Sequence, residues 1–256
     1  MNILNTLIKA KNILDKYNIN NSQLDSEVLL AGTINKDRKY IILNSKKKLN
    51  NKYLKKFNNL IERRAKGEPV AYLLNQKEFW KDKFFINNDV LIPRPDTETL
   101  VEQVLRLYPP ESKLHMLDVG VGSGCILLSI LKERPNFYGT GIDISKRSIN
   151  VCKYNTHLLN LKNRARLYNS DIDNFMVGKY DLITANPAYI NLLRLKYLEK
   201  DVYDYEPMLA LNGGLDGFSQ ITRVITKATV LIKKNGKFIL EIGFDQKNKV
   251  IEILKN

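Results

Sequence analysis

The chain has 256 residues, 44% of them hydrophobic, enough for a real core in one domain of ordinary size with a smaller companion. Met1 to Tyr17 form an amphipathic pattern broken by Lys9, Lys11, Asp15 and Lys16, with neither a continuous apolar span nor a cleavage site, which argues against export and leads us to expect a cytoplasmic protein without a membrane segment. The net charge of +14 points toward an acidic or nucleic-acid partner, although joint richness in Lys, Asn and Ile is also what codons biased toward adenine and thymine produce.

Residues 1–75 hold fifteen Lys and Arg against six Asp and Glu, a net of +9 and more than half of the excess. Apolar residues recur there at helical spacing: Ile3, Leu4, Leu7, Ile8, Ile13, Leu14 and Tyr17, then Leu24, Val28, Leu29 and Ile34 after Asn21 or Ser22, then Tyr53, Phe57, Leu60 and Ile61 before Gly67. A small N-terminal helical domain is expected over 1–75, its charge either a solvated helix face or a surface that touches a partner protein or ribosomal RNA. Residues 76–96 read as a hairpin and linker, with Phe79, Phe84, Phe85 and Ile86 in the hairpin between Glu78 and Asn88. From Thr97 onward helices and strands alternate, beginning with a helix over Glu98 to Leu107 that Asp96 or Thr97 would cap. The expected class for 97–256 is therefore α/β, a Rossmann-like parallel sheet covered on both faces. Cys125, Cys152, His115 and His157 show no metal-ligand spacing, so no metal is expected and all four read as structural.

Leu114 to Val119 reads as a strand, Gly120-Val121-Gly122-Ser123-Gly124 as a tight turn, and Cys125 to Arg134 as a helix. Glycines there permit positive φ and let a ligand approach the backbone, and the helix start offers unpaired N–H groups. A second strand, Tyr138 to Ile142, ends at Asp143, where such folds place an acid for ribose hydroxyls. The glycines run G-x-G-x-G, not G-x-G-x-x-G, no P-loop lysine follows, and acidic Asp118 precedes the loop. That carboxylate suits a pyrophosphate badly; it is tolerable, directly or through water, beside the cationic methionine end of S-adenosylmethionine. A turn with no ligand at all is the bland alternative.

Tyr180 to Ala185 reads as a buried strand, ending at Asn186-Pro187-Ala188-Tyr189. An asparagine fixed beside proline offers its amide oxygen, with a nearby backbone carbonyl, as two acceptors for one planar NH2 group. This arrangement suits methylation of an amide or amino nitrogen, with Tyr189 packing its ring on the same group. An ordinary turn is again the plain alternative.

These blocks, taken with Arg63-Arg64, Gly67 to Tyr72, Glu78-Phe79-Trp80, Val90 to Glu98, Tyr205-Glu206-Pro207 and Leu240 to Gly243, resemble the HemK-like protein-(glutamine-N5) methyltransferases over nearly the whole sequence. The resemblance implies transfer of a methyl group from S-adenosylmethionine to the glutamine of the Gly-Gly-Gln tip of peptide chain release factors of types 1 and 2, with residues 1–75 as the substrate-recognition domain. It implies that Gly120, Val121, Gly122, Ser123 and Gly124 line the methionine and ribose part of the cofactor, that Asp143 binds the ribose hydroxyls, that Ile172 covers the adenine, and that Asn186 touches both cofactor and substrate. Asn186, Pro187, Ala188 and Tyr189 would hold the glutamine, its amide clamped by Asn186 and the Pro187 carbonyl with no general base. Arg94 and Pro95 would lie just behind the site or close a loop over it.

The chain departs from that family at several points. Ala188 replaces a second proline and frees a backbone N–H. Ile172 stands where a tryptophan is common, and Asn75 where glycine is common, asparagine being among the better substitutes at positive φ. After one strand, Lys237 to Gly243, and a helix over Gln246 to Leu254, two further strands are expected and absent, which would leave Phe238, Ile239, Leu240 and Ile242 on an exposed apolar edge. Two alternatives follow: an adenine-N6 type nucleic-acid methyltransferase, which uses a similar turn, and a truncated, inactive relative.

Overall fold

The computed structural model describes residues 1–255, in two compact units: residues 1–75 with 199–205, and residues 76–198 with 206 onward. In the first unit, polar residues start the helices as their chemistry favours. Asn2 accepts the Asn5 N–H at 2.8 Å ahead of α1 (Ile3–Lys16), and Asn35, at φ 53°, ends α2 (Ser22–Ile34). Asp37 caps α3 (Arg38–Leu43) and Asn50 caps α4 (Asn51–Ala65), which short α5 (Val70–Leu73) follows. The apolar stripes of these helices meet in one core that includes Leu14, Leu29, Leu30, Ile41, Phe57 and Ile61, and burial of each stabilises the fold by about 1.5–3 kcal/mol. Within this unit, Arg64 pairs with Asp25 at 2.7 Å, both largely out of water. Asn75 closes the segment at φ 52°, the left-handed conformation expected of an asparagine in glycine's place.

The second unit opens with an antiparallel pair, β1 (Gln76–Phe79) and β2 (Asp82–Phe85), whose Phe79 and Phe84 bury edge to face at 6.2 Å. A linker leads to a 3-10 turn, Pro95–Thr97, and into α6 (Glu98–Leu107). Neither Asp96 nor Thr97 caps that helix through its side chain, contrary to expectation; the 3-10 turn supplies the entry instead, with Thr97 N–H donating to Arg94 O at 3.2 Å.

The sheet follows: β3 (Leu114–Val119), α7 (Cys125–Glu133), β4 (Phe137–Asp143), α8 (Lys146–Leu158), β5 (Ala165–Asn169) and β6 (Tyr180–Ala185). The polypeptide then gives α9 (Lys200–Tyr205) to the first unit and continues as α10 (Met208–Leu211), α11 (Ser219–Leu231), β7 (Ile232–Leu240) and α12 (Lys247–Lys255). The five strands are all parallel, in the order β5-β4-β3-β6-β7. Register pairs Val119 with Ile142 on one side and with Ala185 on the other, so the carboxyl ends of β3, β4 and β6 lie in line. Strand order reverses between β3 and β6, and a crevice opens at such a switch point.

Strand β7 starts five residues earlier than the sequence suggests and stops at Leu240; Asn235, at φ 64°, and a register shift near Tyr180 accommodate the extra length. The expectation of a bare apolar edge also changes. Phe238, Leu240 and Ile242 are half-buried and pack on Ile221 and Ile225 of α11 and Val250 of α12, because α12 folds back over them. Among the described residues β7 pairs with β6 alone, and no helix is long and apolar enough to cross a membrane.

Candidate active site

The crevice at the switch point is a cavity of about 240 Å³. Its floor is the turn after β3. Gly120 and Val121 N–H both donate to Ile142 O at 2.9 Å, and Gly122 N–H donates to Asp143 Oδ2 at 3.0 Å, so the loop is tied to the end of β4. Buried Asn155 holds the far end, donating from Nδ2 to Ser123 O at 2.8 Å and to Phe85 O at 2.9 Å. Gly120 sits at φ 72° and a Cβ there would meet nothing within 4 Å, so the backbone lies open to the cavity.

Gly120, Val121, Gly122, Ser123, Asp143, Ile172, Asn186, Pro187 and Ala188 all line this one cavity. Two expected residues stand outside it. Gly124, at φ 83°, would drive a Cβ to 2.7 Å from Cys152 Sγ of α8 and 2.9 Å from Leu128 Cδ1 of α7, so a side chain has no room there. Tyr189 is half-buried, its hydroxyl 3.5 Å from Glu241 Oε1. Asp118 does not line the cavity. It is 1% exposed, and the hydroxyl of Thr184, its register partner, donates to Oδ1 at 2.8 Å; burial pushes its carboxyl up to about 7, the Thr184 bond notwithstanding.

The donor set fits a nucleoside without phosphates. Asp143 accepts Gly122 N–H through Oδ2 and Ser145 N–H, at 2.8 Å, through Oδ1, which leaves each oxygen a second lone pair for a vicinal diol. Burial raises its pKa while those two N–H groups oppose the rise. Val121, Ile142, Ile172 and Val224 give the cavity apolar walls. The two arginines on its lining are already committed: Arg223 bonds Asp171 at 2.5 Å, holding that carboxyl below its usual range, and Arg94 pairs with buried Glu206. Among the described residues no lysine lines the cavity, so a polyphosphate would find no free cation. Cys125 also lines it, and burial pushes that thiol up to about 12, leaving it unreactive.

At the opposite wall Asn186 follows β6 and donates from Nδ2 to Thr97 Oγ1 at 3.2 Å. Glu206 accepts Ile92 N–H at 3.1 Å as well as the Arg94 guanidinium, which pins a strap whose Pro93 and Arg94 form part of the lining. Thr97, Asn155, Glu206, Arg223 and Glu241 carry no local signal that marks them as site residues. Thr97, Glu206 and Glu241 fall inside motif blocks, but their partners are 52 to 114 residues away and no local pattern ties them together.

Comparison with known proteins agrees with this geometry. The family described as PrmC N-terminal domain matches residues 5–74, and the one described as Methyltransferase domain matches residues 110–255. The sequence is 36% identical over 250 residues to the release factor glutamine methyltransferase of Caulobacter vibrioides, covering 96% of this protein and 86% of that one. It is 37% identical over 259 residues to the protein of the same name from Clostridium acetobutylicum, covering 100% and 91%. A bifunctional methyltransferase of Rickettsia bellii is 35% identical over 267 residues, of which the match spans 94% of this protein and 48% of that one. With relatives matched along nearly their full length and a methyltransferase fold whose strand ends converge on one crevice, the chain belongs to the release factor glutamine methyltransferase family.

Proposed function

We propose that the protein methylates the side-chain amide nitrogen, N5, of the glutamine in the Gly-Gly-Gln motif of class 1 peptide chain release factors, of types 1 and 2, with S-adenosylmethionine as donor. The observation that carries the reading is that Asn186, at the end of β6, opens onto the same cavity as Gly120 to Ser123 and Asp143. When bound, S-adenosylmethionine supplies an electrophilic methyl carbon. Asp143 holds the ribose hydroxyls, Ile172 covers one face of the adenine, and Gly120 to Ser123 leave room along the backbone. Asn186 Oδ1 and the Pro187 carbonyl would accept the two hydrogens of the glutamine NH2 and aim its nitrogen at the methyl carbon; the N–CH3 bond would form as the S–CH3 bond breaks, leaving the uncharged thioether, and the surplus N–H proton would pass to water. Ala188 keeps the turn's acceptors and gives up one proline constraint. Tyr189 stays a substrate-side residue that packs on the bound amide.

Residues 1–75 act in this reading as the substrate-recognition domain, residues 76–96 as hairpin and linker and 97–256 as the catalytic domain, in the cytoplasm where release factors work. Contact of the basic first domain with ribosomal RNA draws no support from the relatives, whose names speak of release factors. Incubation with methyl-labelled cofactor and a release factor, followed by peptide mass spectrometry, tests the reading. Label on the motif glutamine is expected; label on added DNA or RNA instead, or on nothing, would overturn it.

A further inference from the structure

Gln246 stands just ahead of α12, 6% exposed and outside the cavity lining, with both ends of its carboxamide engaged. Oε1 accepts the Gly243 N–H at 2.8 Å. Nε2 donates one hydrogen to Tyr189 O at 3.0 Å and the other to Gly217 O at 3.2 Å. Its backbone N–H donates to Gly243 O at 3.0 Å, so side chain and main chain together close the turn after β7. One residue thereby staples three segments far apart in sequence: the end of the 186–189 turn, the loop before α11 and the turn after β7. The fit is close, since a Cβ on Gly217, at φ 85°, would meet Tyr189 O at 2.7 Å and Gln246 Nε2 at 3.0 Å.

A primary carboxamide meets all three demands of this place. One N–H donor and two carbonyl acceptors surround it, and a carboxamide offers one acceptor and two donors in a single plane. A carboxylate would set its charge against two carbonyl oxygens, and an apolar side chain would strand three buried polar groups. The 186–189 turn has a use for such a brace. Its upstream end is fixed by β6, whose Ala185 pairs with Val119 on one side and Leu240 on the other. With Ala188 in third place, Pro187 is the one residue of the turn whose ring sets φ. We propose that Gln246 fixes the downstream end, and so acts as a positioning residue that keeps Asn186 and the Pro187 carbonyl at the spacing a substrate carboxamide requires, a role that rests on the proposed function. The cofactor wall, Gly120 to Gly122 with Asp143, is tied to the end of β4 by bonds in which Gln246 has no part.

Gln246→Glu tests this at nearly constant shape. As a carboxylate it accepts the Gly243 N–H but gives nothing to Tyr189 or Gly217; protonated, it recovers one of the two donations. Burial and the two facing carbonyl oxygens raise the pKa of that carboxyl. The ratio of variant to parent turnover on a release factor is therefore expected to be about one-tenth to one-hundredth at pH of about 9 and to rise several-fold by pH of about 6. Cofactor affinity by calorimetry is expected to stay within about threefold of the parent's at both pH values. A role confined to stability would lower the melting temperature and leave the turnover of folded protein alone. Gln246→Met, uncharged and of similar length, is expected to lose turnover at every pH, which keeps the test open should Gln246→Glu not fold. Parental turnover in a folded variant, a Gln246→Glu ratio indifferent to pH, or a loss of cofactor affinity as large as the loss of turnover would overturn the proposal. In the parent without substrate, both side-chain NH2 protons of Gln246 are expected to exchange slowly with water, and fast exchange would overturn the staple itself. A parent that methylates no release factor while those protons stay protected would overturn the proposed function alone.

Discussion

Asp118 and Thr184 face one another across β3 and β6 in a place that solvent hardly reaches, the hydroxyl donating to Oδ1 at 2.8 Å while Oδ2 has no partner. A carboxyl in that setting resists ionisation, and folding lifts its pKa from the usual value of about 3.9 to about 7, chiefly through burial. Between those two values the folded protein keeps a proton that the unfolded one releases. The stability this group contributes is therefore full below about pH 4 and is lost as pH rises through about 7. Asp118→Asn removes the dependence, so its melting temperature relative to the parent is expected to rise from pH 4 to pH 8; parallel melting curves across that range would contradict the assignment.

Two glycines of one loop are expected to fail in different ways. Both have positive φ, so an alanine costs each about 1–2 kcal/mol of backbone strain. Gly124→Ala adds a clash with Cys152 and Leu128 inside the unit and is expected to lose about 1–3 kcal/mol more in urea denaturation. Gly120→Ala meets no atom within 4 Å and intrudes on the cavity, so its larger defect is expected in cofactor affinity. Calorimetric titration beside a denaturation curve for each variant separates the two.

Asp143 anchors two backbone N–H groups and keeps lone pairs for the ligand. Asp143→Ala forfeits both roles. Cofactor affinity is expected to drop about ten- to hundredfold, the range for hydrogen bonds to a charged group. Equilibrium binding of S-adenosylmethionine measures this directly, without a turnover assay.

Asn186→Ala removes the side-chain acceptor while leaving Pro187 and the strand intact. Turnover is expected to fall about 10²- to 10³-fold, as when a preorganised polar group at a reacting centre is lost. Cofactor affinity should weaken only in part. Single-turnover label transfer on a release factor, alongside binding, checks both; transfer at the parental rate would dismiss the amide clamp.

What the sequence makes legible is what neighbours along it determine. Strand, glycine loop and helix at 114–134, the acid at Asp143 and the turn after Ala185 each carry their own periodicity and turn chemistry, and they do share a cavity. Asp118 shows the limit. Its place next to the loop suggests a ligand contact, but strands of a parallel sheet are buried on both faces, and register with Thr184 turns its side chain into the sheet's cover. Gly124 closes the glycine loop in the sequence, but the reason its position needs glycine is the Cys152 side chain, 28 residues on, which a Cβ would meet at 2.7 Å. The pairs Arg94 with Glu206 and Asn186 with Thr97 span 112 and 89 residues, so only the folded topology brings them together.

The strand order β5-β4-β3-β6-β7 also separates the two walls of the cavity in space. Gly120 follows β3, Asp143 ends β4 and Ile172 follows β5, whereas Asn186 follows β6, so the two walls of the cavity are carried by different strands. Across the β3–β6 seam, a substitution at Asn186 alters one wall of the cavity and leaves Gly120 and Asp143 on the other unchanged.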